Sequence, residues 1–115
     1  MDFRSSVNWP LMAIALVAGV FIAPAAQSQA KFSAEAIEQG RDQYMRSCRG
    51  CHGVNMVNGG TSAYDLRRFP VDDPVRFFNS VSNGKNNMPA FKESMNSEQI
   101  KLVWAYVGSR GGKEP

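Results

Sequence analysis

"CRGCH", residues Cys48–His52, holds both cysteines and the single histidine of a 115-residue chain. Two residues separate the thiols, an interval at which one helical turn presents both sulfurs toward a common edge, and the histidine follows the second cysteine directly. Four chemistries use cysteines this close together. Zinc requires four ligands, and no second Cys/His pair exists to complete such a site. A thioredoxin-like redox pair sits in a βαβ context, yet no part of this sequence alternates apolar and polar residues as a strand does. A structural disulfide remains open to an exported protein.

The fourth chemistry uses all three residues. Cys-x-x-Cys-His is the attachment pattern of a c-type haem. Cys48 and Cys51 then form thioethers with the two vinyl groups, and His52 is held beneath the iron as an axial ligand. No other histidine is available for the sixth position, so a methionine is expected there. The candidates are Met45, Met56, Met88 and Met95. Met45 precedes the attachment turn on the same helix, and Met56 follows His52 too closely to cross to the other face of the ring. Met88 sits in "NNMPAF" (residues 86–91), where Gly84 bends the chain and Pro89 holds the residue before it extended. Met88 is therefore the expected ligand, with Met95 as the alternative.

Upstream, "MDFRSSVNWP" is a short polar head, "LMAIALVAGVFI" (11–22) an unbroken apolar run, and "APAAQSQA" a stretch of small residues. That order is the pattern of a secretory signal peptide. Cleavage is expected after Ala30, with Ala25 or Ala26 as alternatives. The competing reading, a retained membrane anchor, asks for about 20 apolar residues, more than this run supplies. The expected organisation is a leader over 1–30 and one exported, periplasmic domain over 31–115. A domain of that size buries a small core and often needs a staple. The formal net charge of +3, without a dense basic run interleaved with aromatics, argues against a nucleic-acid partner.

Three helices are predicted in the domain. The first, "FSAEAIEQGRDQYMRSC", has Ser33 as N-cap, Glu35 in its first turn and Gly40 on its apolar stripe. The second, "DDPVRFFNSVSNG", opens on Asp73-Pro74 and leaves at Asn83-Gly84. The third, "NSEQIKLVWAYVGSRGG", is capped by Ser97. The stretches between read as loops, with a short helical turn near Tyr64–Arg67. The fold class is all-α: three to four helices with long loops wrapped around one haem. Loops of this length are uncommon in a compact domain unless they have a task.

With Gly40 and Tyr44 ahead of Cys48–Gly53, then "NGKNNMPAF", then Trp104-Ala105-Tyr106, nearly the whole domain resembles a class I (mitochondrial-like) c-type cytochrome of bacterial periplasmic type. The resemblance implies a monomeric one-electron carrier, not an enzyme. It implies one covalent haem c on Cys48 and Cys51, with His52 and Met88 as iron ligands. It also implies that the first and last helices cross, with Gly40 near Trp104. Many members have a Gly-Pro soon after the haem motif, whose proline carbonyl accepts the histidine ring N–H. Here the first proline is Pro70, and a carbonyl around Gly60–Ser62 is expected in its place. The stretch from Ser62 to Phe91 is similar to the small cytochromes that accept electrons from pyrroloquinoline-quinone (PQQ) alcohol dehydrogenases, including methanol dehydrogenases. That implies such a donor, and a terminal oxidase or another cytochrome as acceptor. Phe77, Phe78, Phe91 and Trp104 are expected around the ring, and Lys85, Lys92, Arg49, Arg67 and Arg68 around its edge. Gly50 is expected to keep the attachment turn tight. A haem enzyme or a small-ligand sensor with a labile sixth ligand is the alternative, although no distal acid–base pair is evident.

Overall fold

The chain begins its first helix where the sequence supplies a cap. In the computed structural model, which describes residues 31–114 and the isolated position Gly19, the Ser33 hydroxyl accepts from the Ala36 N–H and α1 runs Ala34–Ser47. The serine oxygen satisfies one of the orphan first-turn donors, and Glu35 lies where the helix dipole favours an anion. The predicted leader, residues 1–30, and its cleavage site lie outside the described residues apart from Gly19.

No loop follows α1. Cys48 (φ −120°, ψ −31°) kinks the chain, and the single turn α2, Arg49–His52, starts at once. The Cys48 N–H donates to Tyr44 O at 2.8 Å and the His52 N–H to Cys48 O at 3.0 Å, so the attachment turn hangs rigidly from α1. Gly53 ends it with φ +85°, and a Cβ there would fall on the Val57 carbonyl oxygen. Only glycine allows the chain to turn back so tightly after the histidine.

Two 3-10 turns occupy the long loop. Val54–Met56 is one, with Met56 buried in the core. Leu66–Arg68 is the other, slightly beyond the turn expected at Tyr64–Arg67, because the Asp65 carboxylate takes the capping role and accepts from the Arg67 N–H at 3.0 Å. Helix α3, Pro74–Asn83, has the predicted ends: Asp73 accepts from the Arg76 N–H at 3.1 Å, and Gly84 leaves at φ +76°.

Helix α4 spans Ser97–Gly108, and its cap is a correction. Asn96, not Ser97, caps it. The Asn96 side chain accepts from the Gln99 N–H at 2.9 Å while the Gln99 side chain accepts from the Asn96 N–H at 2.9 Å. This reciprocal box satisfies two donors and contributes about 1 kcal/mol.

Helices α1 and α4 cross over a core that includes Tyr44, Ile100, Val103 and Val107. Gly40 makes the crossing possible. A methyl group there would sit on the Leu102 carbonyl oxygen, 2.7 Å from its carbon and 3.2 Å from Tyr106 Cβ. Gly40 thus meets Leu102 and Tyr106 rather than Trp104, and Tyr44 and Tyr106 pack one turn on, ring centroids 5.1 Å apart. Among the described residues there is no strand, only an isolated backbone bridge between Lys85 and Met88. The fold class is all-α, with four α-helices among the described residues. No helix among the described residues is long and apolar enough to cross a membrane.

Candidate functional site

The rigid attachment turn, the long loop and the α3–α4 connection enclose a cavity of about 710 Å³. Cys48, Cys51, His52 and Met88 all line it. Met45, Met56 and Met95 do not. Met56 is core, and Met95, 4% exposed, has its sulfur 3.3 Å from the Gln43 amide nitrogen, which donates to it.

The walls divide by chemistry. Leu66, Phe69, Phe77, Val81, Phe91 and Val103 form apolar surface. Phe78 and Trp104, expected here, line a groove on another face between α1, α3 and α4. Trp104 instead braces the wall from behind, its ring 4.9 Å from Phe77 and 6.0 Å from Phe69. Of the five cations expected at the edge, only Lys85 lines the cavity. Arg67 is paired with Asp65 at 2.8 Å, and that hydrogen-bonded pair holds the Asp65 carboxyl below its usual range. Arg76, which the sequence reading left out, lines the cavity with its guanidinium 5.2 Å from the centre of the Phe69 ring. It forms no ion pair among the described residues, so its donors are free for an anionic group on a ligand.

His52 is oriented by a backbone carbonyl of the long loop. Its Nδ1 lies 2.9 Å from the Tyr64 carbonyl oxygen. A carbonyl can only accept, so Nδ1 carries the proton and Nε2 keeps its lone pair. The acceptor is therefore Tyr64, two residues beyond the expected Gly60–Ser62, of which the Thr61 carbonyl accepts from Asn58 within the loop. Cys48 and Cys51 are unpaired thiols, Cys48 half-buried and Cys51 exposed. Burial, followed by the charge of Cys51, pushes the Cys48 thiol up to about 11. Among the described residues no cluster of acidic, cysteine and histidine side chains could hold a bare metal ion. A flat apolar group that reacts with neutral thiols and takes one imidazole suits these residues. A c-type haem meets each condition, and the cavity volume is in the range of cofactor sites, roughly 300–1,000 Å³. Gly50 does not line the cavity, and a methyl group there would meet no atom within 4 Å, so the turn does not depend on it for space.

Behind the attachment turn, Tyr44 is fully buried and its hydroxyl donates to the Gly53 carbonyl at 2.6 Å. Burial first, then the charges of Cys48 and Tyr106, hold its phenol well above the ordinary value of 10.0. In the unfolded chain Tyr44 ionises near 10, whereas in the fold it keeps its proton to higher pH. Above pH 10 the unfolded state therefore binds fewer protons, and stability falls by up to about 1.4 kcal/mol per pH unit. Urea titrations from about pH 9 to about pH 11 should show this loss. Tyr44→Phe should flatten the slope without abolishing it, because burial also raises Tyr106.

Residues 35–107 match the family described as cytochrome c oxidase, cbb3-type, subunit III. Cytochrome c6 of Nostoc sp. (strain PCC 7120) is 34% identical over 101 residues, covering 84% of this chain and 85% of that protein. Cytochrome c6 of Gloeothece citriformis is 29% identical over 114 residues, covering 96% and 97%. The quinohemoprotein alcohol dehydrogenase ADH-IIG of Pseudomonas putida is 30% identical over 77 residues, covering 65% of this chain but 11% of the enzyme. No solved structure matches.

Proposed function

Because the chain belongs to the class I c-type cytochromes and carries one covalently attached haem c, we propose that it is a periplasmic one-electron carrier. Thioethers from Cys48 and Cys51 hold the haem, and His52 and Met88 ligate its iron. The observation that carries this reading is the convergence of those four residues on one cavity, with the His52 lone pair freed by the Tyr64 carbonyl. The chain is an electron-transfer protein, not an enzyme.

The haem supplies a ferric/ferrous couple. The protein's own residues do the rest. His52 and Met88 keep the same coordination in both states, so little moves when the electron does. The apolar wall of Phe69, Phe77 and Phe91 excludes water and disfavours the extra positive charge of the ferric state, which raises the potential, as a sulfur ligand also does. Arg76 and Lys85 stand at the cavity lining, where a cation can meet the haem's carboxylates or an acidic partner.

For the donor, the reading is a PQQ-dependent alcohol dehydrogenase of the periplasm, with a terminal oxidase or another cytochrome as acceptor. Support comes from the enzymes of Pseudomonas putida that contain a segment similar to this chain. Stopped-flow reduction by a purified quinoprotein alcohol dehydrogenase tests it. The expected result is a second-order reaction whose rate falls roughly tenfold between about 0.01 and about 0.3 M salt, as steering by surface charge requires. A dehydrogenase that fails to reduce the protein, while a chemical donor reduces it rapidly, rejects this donor but not the carrier. Prompt carbon monoxide binding to the reduced protein rejects the carrier.

A further inference from the structure

The family's usual device for orienting the haem histidine is a proline, whose ring fixes its own backbone before its carbonyl meets the imidazole. Here a tyrosine occupies that place, and a tyrosine backbone is free to rotate. Something else must aim the Tyr64 carbonyl at His52. We infer that Asn58 does so: it is the positioning residue for the iron's histidine ligand, through a hydrogen-bonded staple that fixes residues 58–64 against the attachment turn.

The geometry supplies every link. The Asn58 Nδ2 donates to the Thr61 carbonyl at 3.0 Å and the Ala63 carbonyl at 2.7 Å. Its Oδ1 accepts from the Gly60 N–H at 2.9 Å and the Thr61 N–H at 2.7 Å. One side chain thus closes the loop from both of its polar ends. The Thr61 hydroxyl has a single proton and gives it to the nearer of two acceptors, the Cys51 carbonyl at 2.6 Å. That bond ties the loop to the turn that carries His52. The bonded Ala63 carbonyl belongs to the residue immediately before Tyr64, whose own carbonyl meets His52 Nδ1 at 2.9 Å. The Tyr64 ring packs edge-on against Phe69, 6.4 Å between centroids, and steadies the far side.

The consequence for function has a sign. A histidine whose Nδ1–H is held by a carbonyl is a more basic ligand. A more basic ligand favours ferric iron and lowers the potential. Releasing the staple should therefore raise the potential. Simple loosening of the pocket acts the other way, because admitted water stabilises the ferric charge.

The test measures midpoint potentials and thermal midpoints of haem-loaded Asn58→Ala, Thr61→Val and Thr61→Ser. Asn58→Ala and Thr61→Val should raise the ferrous-to-ferric ratio at a fixed poise by on the order of threefold, which is about 30 mV for one electron. Thr61→Ser keeps the hydroxyl and should retain the wild-type potential. An unchanged or lowered potential in Asn58→Ala overturns the inference, whatever the thermal midpoint does. If Asn58→Ala fails to take up haem, Thr61→Val decides by the same criterion. The inference rests on His52 being an iron ligand. That premise is tested separately on the unaltered protein, whose oxidised NMR spectrum should show the His52 ring protons displaced by the iron; their absence would reject the ligand assignment before any variant is made.

Discussion

Replacing Met88 by alanine should abolish the weak long-wavelength sulfur-to-iron band of the oxidised protein, open the reduced protein to carbon monoxide, and lower the potential by on the order of 100 mV or more. Met88 is the single methionine among the four candidates that lines the cavity, and its backbone is tied to Lys85 by two hydrogen bonds, at 3.1 and 2.9 Å. The paired turn holds the side chain in place before any metal bond forms. Alanine keeps that turn but removes the sulfur. Met95→Ala is the control. That residue is 4% exposed and packed in the core, so its truncation should cost about 2–5 kcal/mol of stability. It should leave the sulfur band in place. A band that survives Met88→Ala and vanishes in Met95→Ala would reverse the assignment.

Gly40→Ala should be among the most destabilising single-methyl changes in the chain. Helix propensity alone predicts the opposite, a gain of about 1 kcal/mol over glycine. The new methyl would sit on the Leu102 carbonyl, a backbone atom that cannot rotate away. Helices α1 and α4 would have to separate and loosen the Tyr44–Tyr106 contact. Overpacking that forces side-chain and backbone shifts costs about 1–3 kcal/mol and occasionally more, and here the obstacle is backbone. A net loss of about 3 kcal/mol or more is expected, read from the denaturant midpoint of the haem-loaded protein. Gly50→Ala is the counterpart: with nothing within 4 Å of the new methyl, it should change stability by less than about 1 kcal/mol.

The sequence exposed those parts of the fold that side chains announce. Asp73-Pro74 and Asn83-Gly84 mark both ends of α3 because caps and turns have residue-type signatures. The α4 cap, assigned to Ser97 from the sequence, could have been found, since Asn96 with Gln99 three residues on spells the capping box that Ser97 lacks. Arg76 could also have been found, as it shares a helical stripe with Phe77, Ser80 and Val81, all of which line the cavity. Phe69 and Leu66 could not, because they come from an irregular loop where no period says which way a residue points. Nor could the Tyr64 carbonyl, since a backbone oxygen has no letter of its own. Trp104 was displaced for a further reason. An aromatic stripe shows that a helix face is buried, but not whether it touches the cofactor or the layer behind it.

The crossing of α1 and α4 also imposes an order in time. The attachment turn continues directly from α1, whereas its packing partner lies beyond residues 48–96. Joining the two ends of that roughly fifty-residue segment costs on the order of 3 kcal/mol of chain entropy before any contact rewards it. Before α4 docks, the chain lacks one wall of the cavity and its two thiols lie on a more open turn. Once α4 seats, Val103 closes one wall of the cavity and Cys48 becomes half-buried. Docking of the last helix thus completes the wall that faces the thiols, and access to Cys48 is greater before that crossing forms than after it.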